Sequence, residues 1–385
     1  MNFIATKFEK TVKRKANLHP ALFTFFAGAG FLDLGFETSG FDVVFANEYH
    51  GPFLKAYKYA REKMGIAKPM FGYLQDDIQS MLIEEDAAVL GKYVERARRT
   101  HGLVGFVGGP PCPDFSVGGK NKGREGKNGI LSQVYIDMIC QQKPDFFLFE
   151  NVKGLWRTKT HRAFYEELKT KLATAGYVLS ERLINSIEYG AAQDRDRIIL
   201  VGFLRASFEG ISDVGCINFP WNDHVSFKKS VLESVNWPLA EIFSETASKA
   251  KPDDVPAELT VQYWFDRNQV KRHPNANDCF VPRAALPKFK VIYEGDDSKK
   301  CFKRLHRWRY SPTAAYGNNE VHLHPYEARR ISVAEALALQ SLPKEFHMPP
   351  DMTLTDKFKA IGNGVPYLAA KGLANSIFSY LEQVH

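Results

Sequence analysis

Three short stretches of this 385-residue chain carry side chains that could do chemistry together. The first is "GGPPCPDFS", in which Cys112 follows an apolar run and two prolines. Proline fixes φ and so restrains the backbone around the thiol, whereas the glycines of the following "SVGGKNKGREGKNGI" let that loop move without strain. A restrained cysteine beside a basic loop suits a nucleophile working on an anionic substrate. The second stretch is "FENV", which sets Glu150 and Asn151 at the end of an apolar strand. The third is "QDRDR", where alternation puts Gln193, Arg195 and Arg197 on one face of an extended segment. Open α/β sheets build their sites at the carboxyl ends of such strands, and both stretches are expected there.

A fourth stretch, "FFAGAGFLDLG", reads as the turn after the first strand. Gly28 and Gly30 let the backbone approach a ligand closely. A dinucleotide fingerprint would place its third glycine where Asp33 stands, which argues against a nicotinamide dinucleotide. Glu48, twenty residues after Gly28, ends the next strand, where a carboxylate can accept from ribose hydroxyls. A nucleoside cofactor without a pyrophosphate suits this turn.

Holding these groups together requires a sheet. Strand-like runs "LFTFFAG", "FDVVFANE", "LVGFVGG", "DFFLFENV", "RLINSIEYG" and "RIILVGF" alternate with helical periodicity in "FLDLGFETSG" and near residues 81–99, 131–142 and 160–175. That alternation predicts an α/β, doubly wound and mainly parallel sheet with both faces covered. From about Ala206 to Tyr310 the pattern dissolves into prolines, charges and aromatics, without repeats. Helical periodicity returns in "SVAEALALQSL" and "YLAAKGLANSIFSYLEQV". The expected division is a catalytic, cofactor-binding domain over 1–205, a second, smaller domain over 206–350, and a C-terminal segment, 351–385, packing back on the first.

Composition narrows the class. Hydrophobic residues make up 44% of the chain, enough for a large core, and a net charge of +7 with a pI near 8.9 leans towards an acidic partner such as nucleic acid. Five cysteines without a CxxC pair indicate neither a disulfide framework nor a zinc site, so no metal is expected and a reducing cytosol fits. The start, "MNFIATKFEKTVKRKANLHP", is polar and basic, unlike a secretory signal, and no apolar run approaches the ~20 residues of a membrane span.

In order along the chain, "FAGAGFLDLGFE", "ANEY", "DDI", "GGPPCPDFS", "ENVKGL", "QDRDR", "RRISVAEALALQSLP" and "AIGNGVPYLAAKGLANSI" resemble the motifs of the DNA (cytosine-5) methyltransferases of the bacterial modification-methylase type. The resemblance implies a Rossmann-like sheet that binds S-adenosylmethionine, released as S-adenosylhomocysteine. It implies cofactor contacts from Phe26, Gly28, Gly30, Glu48, Tyr49, Asp77, Ile78, Pro111, Asn363 and Val365. The chain departs from the family pattern at Phe31, where a second glycine is usual, at Pro113 and Asp114, where a glutamine is common, and at Gly364, where serine is frequent.

The chemistry accounts for the residue types. Carbon 5 of cytosine is a poor nucleophile, so the Cys112 thiolate would add to carbon 6 while Glu150 protonates or hydrogen-bonds ring nitrogen 3. Arg197 and Arg195 would hold the ring carbonyl. Duplex DNA would be the partner, its target base flipped out of the stack, with Lys120, Lys122, Arg124 and Lys127 of the glycine-rich loop closing on phosphates. The basic, aromatic "KKCFKRLHRWRY" would carry DNA contacts from Lys303, Arg304, Arg307 and Arg309 in a target-recognition domain. A monomer in the bacterial cytosol or nucleoid is expected, either partnered by a restriction endonuclease or standing alone. Three rivals remain at this point. They are a catalytically silent DNA-binding relative, a transfer-RNA methyltransferase of the same fold, and a flavin or nicotinamide enzyme with a reactive thiol. About a hundred residues between "RIILVGF" and "SPTAAYG" favour a reader of duplex DNA over the second.

Overall fold

The computed structural model describes residues 18–111, 127–211, 217–282, 284–316 and 320–385. Seven strands among them form one sheet: β1 (Ala21–Phe25), β2 (Asp42–Asn47), β3 (Tyr73–Leu74), β4 (Val104–Gly108), β5 (Phe146–Val152), β6 (Tyr177–Asn185) and β7 (Asp196–Leu204). Their order is β3-β2-β1-β4-β5-β7-β6. Pairing is parallel from β3 to β5, whereas β7 runs antiparallel to both β5 and β6. The mainly parallel sheet read from the sequence therefore holds with one strand reversed.

Both faces of the sheet are buried, and side-chain alternation sorts the apolar residues between them. Phe23, Phe25, Phe106, Phe147 and Phe149 face one cluster, shared with α3 (Glu84–His101), α4 (Lys127–Gln142) and α6 (Lys159–Thr174). Leu22, Val107, Leu148 and Val201 face the other, shared with α1 (Phe31–Glu37) and α12 (Tyr367–Val384). Phe208 and Phe219 pack in that second cluster too, so the chain stays on the sheet for a stretch after regular alternation stops at Leu204. Two helices that periodicity did not single out, α2 (Gly51–Lys63) and α11 (Leu354–Asn363), flank a third cluster. There Phe31, Phe53 and Ala56 meet Trp264 and Phe265 of α8 (Val261–Arg267) and Leu337 of α10 (Val333–Leu339). The remaining helices are short: α5 (Lys153–Arg157), α7 (Lys229–Ser234) and α9 (Leu286–Phe289).

Between Leu204 and α10, pairing among the described residues is limited to isolated bridges such as Glu241↔Glu294 and Arg304↔Leu323. Irregular backbone leaves carbonyls without ladder partners, and buried ones must find donors elsewhere. Here arginine supplies them. Arg304, fully buried, donates to the carbonyls of Phe289, Ile292 (2.9 Å), His324 and Glu327 (3.1 Å). Arg307 forms a fork with buried Glu294 at 2.8 and 2.9 Å and reaches the Ala247 carbonyl at 3.0 Å. This corrects the expectation that Arg304 and Arg307 touch DNA: their guanidinium groups point inward and are occupied by the protein's own backbone and Glu294. Lys303 and Arg309 are only half-buried, and Arg309 lies 3.9 Å from Asp297.

Candidate active site

The turn after β1 is built on left-handed backbone. Phe26 (φ 54°), Gly28 (φ 57°) and Gly30 (φ 81°) all lie in that region, and Gly30 caps the N-terminus of α1. Nothing lies within 4 Å of a Cβ built on Gly28, so the turn presents open space at that residue. The Gly28 N–H donates to Glu48 Oε2 at 2.8 Å, and the His50 N–H donates to Oε1 at 2.7 Å. Burial pushes the Glu48 carboxyl up, with those two bonds pulling against it. Each carboxylate oxygen keeps acceptor capacity, which is what a ribose diol requires. Tyr49, beside it, is 71% exposed. Asn47 donates to the carbonyls of Leu74 and Asp76 at 3.3 and 2.9 Å, fixing the next loop against the end of β2. In that loop Asp77 accepts from the Gln79 N–H at 3.0 Å, and the Ile78 side chain is buried in the core. Pro111 and Asn363 are exposed, whereas Val365 packs under α12. An exposed turn with a buried, oriented carboxylate beside it fits a nucleoside.

The second half of the site depends on the reversal of β7. Because β7 runs antiparallel, its first residues lie at the carboxyl end of β5: Val152 pairs with Arg197, and Glu150 with Ile199. The expected place of "QDRDR" is thus reached from the start of a strand rather than its end. Arg197 Nε lies 2.6 Å from Glu150 Oε1, and its Nη1 donates to the Asp196 carbonyl at 2.7 Å. Glu150 itself is 8% exposed. A Cβ on Gly109 would sit 2.6 Å from Glu150 Oε2, so the residue after β4 must be glycine for the carboxylate to occupy this position. Lys153 and Asp196 close the edge at 2.7 Å. Cys112, Lys120, Lys122 and Arg124 lie outside the described residues.

Arg195 takes a different part from Arg197. It is 2% exposed and donates to the carbonyls of Ala314 and Gly362, both at 2.9 Å. Its guanidinium is therefore committed to joining the residues before Tyr316 to α11, which corrects the expectation that it holds a substrate carbonyl. Gln193, also buried, belongs to the same tie: it accepts from the Ala314 N–H at 3.2 Å and donates to Gln340 Oε1 at 3.3 Å. Gln340 in turn donates to the Ile361 carbonyl at 2.6 Å. Sequence reasoning missed this network and the buried Arg61 described below. A glutamine or an arginine in a polar stretch reads as surface, and only the carbonyls of distant segments reveal otherwise.

The family model described as C-5 cytosine-specific DNA methylase matches residues 21–379. The chain is 58% identical over 361 residues to the Type II methyltransferase M.NmeDI of Neisseria meningitidis serogroup C, covering 94% of this chain and 84% of that one. It is 29% identical to the Type II methyltransferase M.FnuDI of Fusobacterium nucleatum, over 92% and 94% of the two chains. Among solved structures, a prophage-encoded E. coli protein described as a DNA modification methyltransferase superposes with a TM-score of 0.62 at 20% identity, covering 94% of this chain and 99% of that chain. The S. pombe Dnmt2 methyltransferase gives 0.58 at 14% identity, covering 95% and 99%. At these identities the two structures speak for the fold.

Proposed function

Since the chain belongs to the C-5 cytosine-specific DNA methylase family, and is thus a DNA (cytosine-5) methyltransferase, we propose how its residues divide the reaction. The observation that carries the proposal is the Glu150–Arg197 pair, 2.6 Å apart at the carboxyl edge of the sheet beside the glycine that leads to Pro111 and Cys112. Cys112 adds as a thiolate to carbon 6 of a flipped cytosine and makes carbon 5 nucleophilic. Glu150 supplies a proton or a short hydrogen bond to ring nitrogen 3 as electron density builds, and Arg197 orients that carboxylate and faces the ring carbonyl. Once carbon 5 has gained the methyl group, loss of its proton restores the ring double bond and expels the cysteine.

S-adenosylmethionine is the proposed cofactor, and when bound it supplies an electrophilic methyl group on a positively charged sulfur. Phe26, Gly28 and Gly30 would line its turn, with Glu48 on the ribose, Tyr49, Asp77 and Ile78 around the adenine, and Pro111, Asn363 and Val365 closing the pocket. What supports this is the open space at Gly28 and the buried carboxylate of Glu48 held by two backbone N–H groups. Lys120, Lys122 and Arg124 would grip phosphates, while Lys303 and Arg309 remain candidates for DNA contact in a target-recognition region within 206–350. The Type II names of the relatives support a modification methylase. The proposal adds that it is paired with an endonuclease or alone and acts as a monomer in the bacterial cytosol. Among the described residues no helix is long and apolar enough to cross a membrane.

Incubating the protein with labelled cofactor and either duplex DNA or transfer RNA, followed by mass spectrometry of the nucleosides, tests the proposal. Label is expected in 5-methylcytosine of DNA. Label confined to RNA, or absent from both, overturns it.

A further inference from the structure

The cofactor turn is braced by a residue that the reaction does not use. Arg61, near the end of α2, is 1% exposed. Its Nη2 donates to the Gly30 carbonyl at 2.7 Å and meets Glu37 Oε2 at 2.9 Å, while Nη1 reaches the Ala29 carbonyl at 3.3 Å. The guanidinium lies 4.0 Å from the centre of the Tyr57 ring. Gly30 has no room for a side chain, because a Cβ there would overlap Arg61 Nη1 and the Tyr57 ring. Buried Asp33 and partly buried Glu37 supply the compensating negative charge.

A buried guanidinium is unfavourable unless it is paired and hydrogen-bonded. Here Nη1 and Nη2 find carbonyls of the turn and Glu37 at the end of α1, while Nε has no partner among the described residues. One continuous segment therefore grips that turn at two places. Glu48, just after β2, takes the Gly28 N–H, and thirteen residues later Arg61 takes the carbonyls of the next two residues. We infer that Arg61 is a positioning residue for the cofactor: with Glu37 and Tyr57 it holds the Ala29 and Gly30 carbonyls and so sets the geometry that Gly28 and Glu48 present to a nucleoside. The inference rests on the reading of this turn as the S-adenosylmethionine site.

Titration calorimetry with S-adenosylhomocysteine on the full chain tests it. Arg61→Met should weaken binding about ten-fold or more, the loss expected when charge-assisted hydrogen bonds are removed. Arg61→Lys should fall between, because one ammonium cannot reproduce a planar fork. The KM for the cofactor should rise by more than kcat falls, and cofactor-free DNA affinity in a mobility-shift assay should hold. A folded Arg61→Met protein whose affinity stays within about two-fold of wild type overturns the inference. If that variant does not fold, Glu37→Gln decides, since it keeps side-chain size and loosens the guanidinium: unchanged affinity there overturns the inference equally. Glu48→Gln separates the premise from the inference. If Glu48→Gln weakens binding and Arg61→Met does not, only the positioning role fails. If wild type binds no S-adenosylhomocysteine, or Glu48→Gln changes nothing, the cofactor reading of the turn fails and takes the inference with it.

Discussion

Along β5, the backbone from Phe146 to Val152 finds its partners on the neighbouring β7 ladder, whereas between Phe289 and Glu327 four carbonyls find theirs on the single guanidinium of Arg304. Both solutions satisfy buried backbone, but they leave different marks in the sequence. A ladder buried on two faces demands apolar residues at nearly every position, as in "FFLFENV". A guanidinium demands only that carbonyls converge within reach of its five donors, and the stretch that holds it looks polar and basic. A run such as "KKCFKRLHRWRY" therefore resembles a DNA-binding stripe even though two of its arginines face inward. The sheet half of the molecule holds the proposed catalytic residues on a frame of hydrophobic packing, and the following region adds to its own apolar cluster a few polar residues that each hold several segments.

The largest effects should come from the sheet side. Cys112→Ala should abolish methylation, and DNA containing 5-fluorocytosine, which traps the covalent adduct with the wild-type protein, should give no adduct with the variant. Glu150→Gln should lower the single-turnover rate by roughly ten-fold to ten-thousand-fold while binding changes little. An unchanged rate would leave Glu150 as a mere partner for Arg197. On the other side, Arg304→Met should cost about 3–5 kcal/mol in denaturant unfolding by leaving buried carbonyls unpartnered, yet leave the methylated sequence unaltered. Relaxed sequence choice without lost stability would return Arg304 to the DNA and erase the contrast.

Smaller effects, opposite in sign, should appear on acidification. Burial pushes the Asp33 carboxyl up to about 6 despite Arg61, so its charged form is disfavoured in the fold. Its contribution to stability is most favourable at low pH, declines as pH rises from about 4 to 6 and stays low above, so a shift from pH 7 to 5 should return about 1 kcal/mol. His322, in the arginine-held region, is pushed down to about 3 by burial and then by Lys303. It folds neutral, so its contribution is present above the unfolded value of 6.5 and is lost as pH falls, about 2 kcal/mol by pH 5. Comparing Asp33→Asn and His322→Gln with wild type at pH 7 and 5 isolates the two terms. Variants whose pH dependence matches wild type would show that neither group feels its burial.

Much of the sheet was legible because both of its faces are buried: "LFTFFAG" and "DFFLFENV" are apolar enough to admit few other readings. Glu48 and Glu150 stood out as carboxylates ending such runs. The reversal of β7 was not legible, since "RIILVGF" reads the same in either direction and only its pairing with both β5 and β6 fixes it. Arg61 sits in "KAYKYAREK", a charged helical stretch whose arginine reads as solvated until the carbonyls of the turn are brought beneath it. Arg195 and Arg197 are two residues apart and chemically identical, so the sequence cannot say that one joins α11 to the residues before Tyr316 while the other holds Glu150. That distinction depends on contacts far away in the chain.

Phe31 and Gly364, two of the departures from the motifs that the chain resembles, lie against each other. A Cβ on Gly364 would overlap the ring of Phe31, which also packs edge-on against Phe346 at 5.1 Å. In a laboratory recombining this gene with its relatives, positions 31 and 364 then behave as one heritable unit, although they lie near opposite ends of the chain. Almost any single crossover separates them, and where the other parent has a larger residue at 364 it sets that residue against Phe31. A double crossover that exchanges only the middle keeps the pair intact. Chimeras that exchange only the middle are thus structurally easier to make than chimeras that join one parent's beginning to another's end.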